Sequence, residues 1–493
     1  MNTHKKWCVG TLSATLAFLL IIAGVTIFVD PFFHYHKPFE KIPYTLNDQN
    51  YQNPGIVRHF DYDALITGTS MTENFKTSNF AEVLGVNAIK VPYAGGRSMN
   101  MRIILEKALK NNPNLQTVYL GLDLYMLKAQ DTNETRNPLP EFLYNSNPFD
   151  DVRYLYNKDV FFNRVKPSLT NALKGTPSTS FDQYSSWYES YTFSQYTVIG
   201  SDWDMPRAER PDYSLDDAIK IADDNLKKNI LPLIEAYPQV KFVIFYPPYS
   251  ILYWYSNYAE YEIGLQEHAV RTLMPYPNVE QYLFQNDHQI VTDLYNYKDY
   301  THYGPDINTY MVHCFKDGTH RLTPDNVESE LSKMKDLVRN FDYGLLFGQS
   351  NPFIRENNLL NYLDKLNDSR YIAFVASQSE EPVSAYDIFG SQYTRFGLDN
   401  TQNSCGFGAI IQGDTTLFQK SSDIISFHDV TINLKVGIVS EKRDGSNYVQ
   451  ITIDGTSYTT NQPGVNIVVY DTVLQRVLDN IAVDITSGRI SRV

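Results

Sequence analysis

The chain has 493 residues, a formal net charge of −14 and 43% hydrophobic residues. That length exceeds one ordinary core, so two or more packed domains are expected. The acidic balance argues against broad binding to nucleic acid or to anionic surfaces.

Lys5 and Lys6 precede an uncharged span from Trp7 to Val29. At about 1.5 Å per residue this span can cross a hydrocarbon core. No small-x-small exit follows it, so residues 1–30 read as a cytoplasmic stub and an uncleaved signal anchor. The lysines on the short side predict an N-terminus inside and everything after Asp30 outside. The segment DPFFHYH then lies at the interface, where aromatic residues gather. The three cysteines, Cys8, Cys314 and Cys405, give no disulfide framework and no zinc spacing. An exported chain so poor in cysteine fits a bacterial envelope. The 37 tyrosines offer flat amphipathic surfaces that suit sugars, or simply tyrosine-rich cores.

Beyond the anchor, short apolar runs alternate with helical patterns. YDALIT (62–67), NAIKVPYA (87–94), TVYLGLDLY (117–125), KFVIFYPPY (241–249) and VEQYLF (279–284) read as strands. Residues 96–112, 214–238 and about 254–274 carry apolar residues at helical spacing. The stretch from about 130 to 210 is rich in Tyr, Asn and Ser and reads as an insertion with short helices. This alternation predicts an α/β unit with a parallel sheet and helices on both faces, over residues 31–335. Such sheets place their sites beyond the carboxyl ends of the strands. Ser70, Gly95 and Asp123 all fall there. Past 340 the chain turns Gly-, Thr- and Val-rich, with strands such as RYIAFVAS, GFGAIIQG, VTINLKVGIV, YVQITIDG and GVNIVVYD. Residues 340–493 therefore form a second, β-rich domain of ordinary size.

The run ALITGTSMTEN (64–74) poses the central question. Ser70 is either a nucleophile or a turn residue that caps a helix. A serine hydroxyl needs a base to take its proton, usually a histidine that a carboxylate orients. KDYTHYG supplies Asp299 and His302 in an Asp-x-x-His, with Gly304–Pro305 as a helix start behind them. No metal-ligand spacing, P-loop or dinucleotide fingerprint is present, so no cofactor and no metal are expected.

These blocks resemble the SGNH (GDSL-like) hydrolase superfamily, in family order across roughly 60–316. TGTS stands at the Gly-Asp-Ser block, YAGGRS at the glycine block, GLDLY at the Gly-x-Asn block and DYTH at the Asp-x-x-His block. The resemblance implies a three-layer α/β sandwich with Ser70 as nucleophile, His302 as base and Asp299 as orienter. It also implies an oxyanion hole built on the amides of Ser70 and of Gly95 or Gly96. The anchored layout is most similar to envelope acyl-transfer members, the D-alanine transfer and alginate O-acetylation proteins. Two departures stand out: Thr69 replaces the usual aspartate, and Asp123 replaces the oxyanion-hole asparagine. A carboxylate has no N–H to donate, so Asn74 or Asn100 enters as a substitute donor.

In the last domain, GVNIVVYDTVLQRVLDNIAVDI (464–485), with Gly464, Asn466 and Asp471, resembles the opening strands of the ILEI/PANDER domain. FDYG (341–344), 357–380, RFGLD (395–399) and GFGAIIQG (406–413) continue the likeness. The Gly-x-Asn strand comes last here, as a circular permutation would leave it, and the family's cysteines are absent. This resemblance implies glycan binding; a β-sandwich that only supports its neighbour is the alternative.

The expectation is thus a membrane-anchored esterase or acyltransferase acting on O-acyl groups of an extracellular polysaccharide. Its partners would be a glycan, the membrane and, on a third reading, a membrane O-acyltransferase that passes acyl groups across the bilayer. The alternative is a non-catalytic glycan-binding or scaffolding protein on a degenerate hydrolase fold.

Overall fold

The computed structural model describes residues 3–129, 138–200, 207–348, 351–379, 405–431, 433–443, 445–458 and 464–492. The RFGLD stretch at 395–399 lies outside them. α1 (Thr3–Val29) is long and apolar enough to cross a membrane.

The first unit is built on β1 (Ala64–Gly68), β2 (Ala88–Lys90), β3 (Thr117–Gly121), β4 (Lys241–Tyr246), β5 (Val279–Leu283) and β6 (Arg321–Leu322). They line up as β2-β1-β3-β4-β5-β6, parallel except for β6. β1 is buried along its whole length, as apolar strands covered on both faces must be. The order 2-1-3-4-5 reverses direction between β1 and β3, and clefts open at such switch points. One core runs through this unit from Phe33 to Phe347.

Several expected boundaries shift for local reasons. β2 ends at Lys90, although Val91 and Tyr93 still donate to Ile66 and Gly68 of β1. Pro92 between them has no N–H to continue the ladder. β3 stops early because Asp123 caps the helix Leu124–Lys128. The helix expected over 214–238 is present as Leu215–Asn225 and Leu231–Ala236, with a π-turn at Leu226–Ile230 just before Pro232. The helix expected at 254–274 is two pieces, Ile251–Ser256 and Ala259–Leu273.

The second unit holds β7 (Tyr371–Gln378), β8 (Gly406–Gln412), β9 (Thr415–Ser421), β10 (Ile425–Thr431), β11 (Leu434–Arg443), β12 (Ser446–Ile453), β13 (Thr456–Ser457), β14 (Gly464–Asp471), β15 (Arg476–Val483) and β16 (Ile490–Arg492). They form two antiparallel sheets, β16-β15-β14-β7-β8-β9 and β10-β11-β12-β13. The run VTINLKVGIV is not one strand: Asn433 takes a left-handed φ of 64° and turns β10 into β11. Ile372, Phe374, Ile438 and Ile451 fill the space between the sheets. The other face of the larger sheet packs on the helix Leu359–Lys365 through Tyr362 and Leu363. Cys8 is exposed and Cys314 is buried, and neither forms a disulfide.

The two units share a seam. Tyr295 leaves the first unit and packs into the core between the C-terminal sheets. The Tyr458 hydroxyl donates to Asp293, and Arg476 Nη2 donates to the Thr292 carbonyl at 3.2 Å.

Candidate active site

The floor of the site is made by two glycines. A Cβ on Gly68 would lie 2.6 Å from Thr72 Cγ2, and one on Gly121 would lie 2.7 Å from the same atom. Bare backbone at both strand ends lets Thr72 wedge between them. The chain can then reverse sharply at the switch point. Thr69 caps the short 3-10 turn Ser70–Thr72, which turns the Ser70 hydroxyl outward.

His302 comes from the loop after β5. Asp299 Oδ1 accepts the backbone N–H groups of Thr301 and His302, each at 2.8 Å, which fixes the loop. Asp299 Oδ2 lies 2.9 Å from His302 Nδ1. On the opposite edge of the ring, His302 Nε2 lies 2.8 Å from Ser70 Oγ, across 232 residues of sequence. With a carboxylate at Nδ1, that nitrogen carries the proton and Nε2 is left to accept from Ser70. Burial opposes ionisation of Asp299, but the hydrogen bonds and charge of His302 and the two backbone donors outweigh it. Its carboxyl is held below the usual range. Behind the histidine, the buried Tyr303 donates to the Met71 carbonyl at 2.6 Å and locks the two loops together.

Gly95 lines the same cavity as Ser70 and His302. Its φ of 62° is left-handed, and a Cβ there would meet nothing. Neither Gly95 nor Ser70 uses its N–H within the described residues, so both can point to an incoming oxygen. The Gly96 N–H donates to the Tyr93 carbonyl at 2.8 Å, and Gly96 is not among the residues that line the cavity. The two substitute asparagines sit outside it, and the Asn74 Nδ2 is buried without a partner among the described residues. Asn74 Oδ1 accepts from Trp187 N at 3.1 Å, and Asn100 Oδ1 accepts from Arg97 N at 2.8 Å on its own helix. Neither lines the cavity.

Asp123 does line it. Its Oδ1 accepts from Met126 N at 3.1 Å, and Oδ2 takes the Thr69 hydroxyl. Burial pushes this carboxyl up, against the pull of Thr69 and the helix N–H groups. The two departures from the family pattern, Thr69 and Asp123, are therefore one hydrogen-bonded pair. The pair links the strand ends on which Ser70 is mounted.

The cavity encloses about 260 Å³, and four tyrosines, Tyr125, Tyr249, Tyr253 and Tyr300, form much of its wall. Sequence reasoning missed them, along with Trp187, whose ring meets His302 edge-on with centroids 5.6 Å apart. Lys298 Nζ sits 4.0 Å from the Trp187 ring centroid and 3.8 Å from that of Tyr191, a cation–π clasp over the loop. Tyr300 and Lys298 stood beside the Asp-x-x-His block in the sequence, and Tyr125 and Tyr249 stood in the strand blocks. Beneath the site, buried Lys90 donates to the carbonyls of Glu73 and Phe75, and burial pulls its pKa down to about 7 despite the nearby Glu73. Among the described residues, no three His, Cys, Asp or Glu side chains converge to hold a metal ion.

No family model, curated protein or solved structure matches the chain.

In the second unit, Gly464, Asn466 and Asp471 are buried within the sheet. A Cβ on Gly464 would strike the Val483 carbonyl at 2.1 Å. Asp471 receives Arg370 at 2.8 Å and caps the turn through Val473 N and Leu474 N. These residues hold the sheet together.

Proposed function

We propose that the chain is a membrane-anchored, extracytoplasmic SGNH-like esterase or acyltransferase that acts on O-acyl groups of an envelope polysaccharide. The observation that carries it is the contact chain Ser70 Oγ–His302 Nε2 at 2.8 Å and His302 Nδ1–Asp299 Oδ2 at 2.9 Å, at the rim of an open cavity. The doubly wound strand order and the position of Ser70 at the switch point support an SGNH-like layering. The tyrosine walls suit a sugar ring. Lys5 and Lys6 in the first turn of α1, ahead of its uncharged span from Trp7, support an N-terminus inside, with both units outside. The β-sandwich with a central β14 supports the ILEI/PANDER-like reading of the second unit.

In this reading Ser70 Oγ attacks the acyl carbon as its proton passes to His302 Nε2. The Gly95 and Ser70 N–H groups receive the negative oxygen. Collapse of the adduct transfers the proton from His302 to the departing sugar oxygen and leaves an acyl-Ser70. Water then attacks, giving its proton to His302, which returns it to Ser70 Oγ as the free acid leaves. A sugar hydroxyl in the same place gives transfer instead. Asp299 keeps its charge throughout and stabilises the imidazolium.

The test uses the full chain in detergent with a fluorophosphonate probe and p-nitrophenyl acetate. Labelling and turnover that vanish in Ser70→Ala support the reading; equal labelling of both proteins refutes it. A second reading, a glycan-binding protein without turnover, is favoured by Asp123 at the position of a donor. Glycan binding by a chain that no acyl ester or fluorophosphonate modifies would select it.

A further inference from the structure

α1 leaves the protein in two distinct parts. From His4 to Ile21 every residue is exposed. The uncharged part of that stretch, Trp7 to Ile21, spans about 22 Å at 1.5 Å per residue, so the rest of a hydrocarbon thickness of about 30 Å falls on the turns that follow it. From there on, Ala23, Thr26 and Val29 are buried, at i, i+3 and i+6 on one face. The last two turns are thus gripped by the folded unit at the depth where acyl chains give way to headgroups.

What grips them is the insertion. Val29 and Phe32 pack with Phe142, Leu143, Tyr154, Val160 and Val165. The short helix Val152–Leu155 and the π-turn Phe161–Val165 both touch α1. At the helix exit the Asp30 carboxylate accepts the N–H groups of His34, Tyr35 and His36 and the Tyr154 hydroxyl. The insertion is therefore fixed beside the exit of α1.

On and beside these segments, large apolar side chains stand in the open among basic and polar ones such as Arg153, Lys158 and Asn163. Phe149 is 86% exposed, Phe162 61% and Val152 54%. Water-facing surfaces seldom gather such side chains on one short insertion. Charge agrees. Residues 138–175 hold five Lys and Arg against four Asp and Glu, in a chain of net charge −14. Two of the four acids, Asp150 and Asp151, are tied to Asn145 and to His34 and Tyr35.

We propose that the insertion at 138–175 is a second membrane contact, which lays Phe149, Val152 and Phe162 among the headgroups and upper acyl chains. The occupant of this surface is lipid, held by apolar contact in the manner of an interfacial segment. The inference rests on the reading that α1 spans a bilayer. The same insertion also reaches the site, because the Tyr144 hydroxyl lies 2.8 Å from that of Tyr93, two residues ahead of Gly95.

The test places the full chain in phosphatidylcholine nanodiscs, on a Cys8→Ser, Cys405→Ser background in which only buried Cys314 remains. Single cysteines at Phe149→Cys, Phe162→Cys, Leu16→Cys and Val430→Cys carry an environment-sensitive fluorophore. Val430 is 63% exposed on β10 and serves as an apolar surface position away from the insertion. The expected result is blue-shifted emission at 149 and 162 with loss of most of it to shallow doxyl-lipid quenchers, loss at 16 to deep quenchers, and water-like emission at 430. Water-like emission at 149 and 162 with position 16 quenched overturns the proposal and leaves the anchor intact. Equal shifts at 149, 162 and 430 also overturn it, as non-specific sticking. Water-like emission at 16 overturns the anchor and this inference with it.

Discussion

The two units differ in where their principal charged groups sit. In the first, Ser70, His302, Asp299 and Asp123 come from three separate segments and meet at the edge of a cavity, where at least the Ser70 and Gly95 N–H groups are left open. In the second, two arginines close on carboxylates, while Arg476 reaches across the seam to the Thr292 carbonyl. Arg370 meets Asp471, and Arg492 meets Asp479 while also donating to the Phe353 and Glu356 carbonyls. A polar group that faces a cavity is available for chemistry; one saturated by neighbours holds a fold. The contrast explains why a parallel sheet with a switch point hosts the candidate site and the sandwich beside it does not.

The largest effect expected from breaking this contrast is in the first unit. Ser70→Ala should abolish fluorophosphonate labelling and cut ester turnover by up to about 10⁶-fold. Asp299→Asn should keep the fold but lose about 10⁴-fold in kcat, because the amide favours the wrong histidine tautomer. Thermal melts of both variants should match the wild type. In the second unit the order of effects reverses. Arg492→Ala leaves Asp479 buried without its partner, which should cost about 3–5 kcal/mol of stability. Denaturant titration reads this as an earlier transition, while labelling of Ser70 in the remaining folded protein is unchanged.

Smaller effects sharpen the picture. Gly95→Ala forces a side chain into a left-handed φ of 62°, at a cost of about 1–3 kcal/mol. Space is open there, so the loop should tilt rather than clash. Turnover should fall about tenfold, with labelling slowed but present. Lys90 gives the smallest and most specific readout. Its folded pKa of about 7 lies below the ordinary lysine value of 10.5. The folded chain therefore sheds this proton first, and stability rises with pH from about 7 until the unfolded lysine titrates. Below that window its full burial penalty applies. Lys90→Met should flatten this slope, which is at most about 1.4 kcal/mol per pH unit.

Much of this was legible in the sequence, for reasons that differ by region. Apolar strands that end at GTS, at GG and at GLD mark the carboxyl edge of a parallel sheet, and an Asp-x-x-His before Gly-Pro marks a fixed loop. Both features are local, so short blocks reveal them. Trp187 was not legible, because an aromatic in an insertion carries no signature of what it packs against. Tyr125, Tyr249 and Tyr300 stood in or beside the blocks read from the sequence, but nothing there told that their rings share one cavity wall. The placement of Gly96, Asn74 and Asn100 was not legible for a related reason. Each lies near the site in sequence but outside the cavity wall: Gly96 and Asn100 bond within their own loop and helix, and Asn74 bonds Trp187 113 residues away. The hairpin at Asn433 was hidden inside a run that reads as one continuous strand. Asp123 looked like a defect only because Thr69, its partner, is 54 residues away.

Tyr295 has a practical consequence. It stands seven positions before His302, yet its ring is seated in the neighbouring sandwich. Severing the chain between the two units would therefore bare an aromatic side chain at the root of the imidazole-bearing loop. A shortened protein that lacks the sandwich should have a slack loop, and its failure to turn over esters would say nothing about the chemistry of the intact molecule.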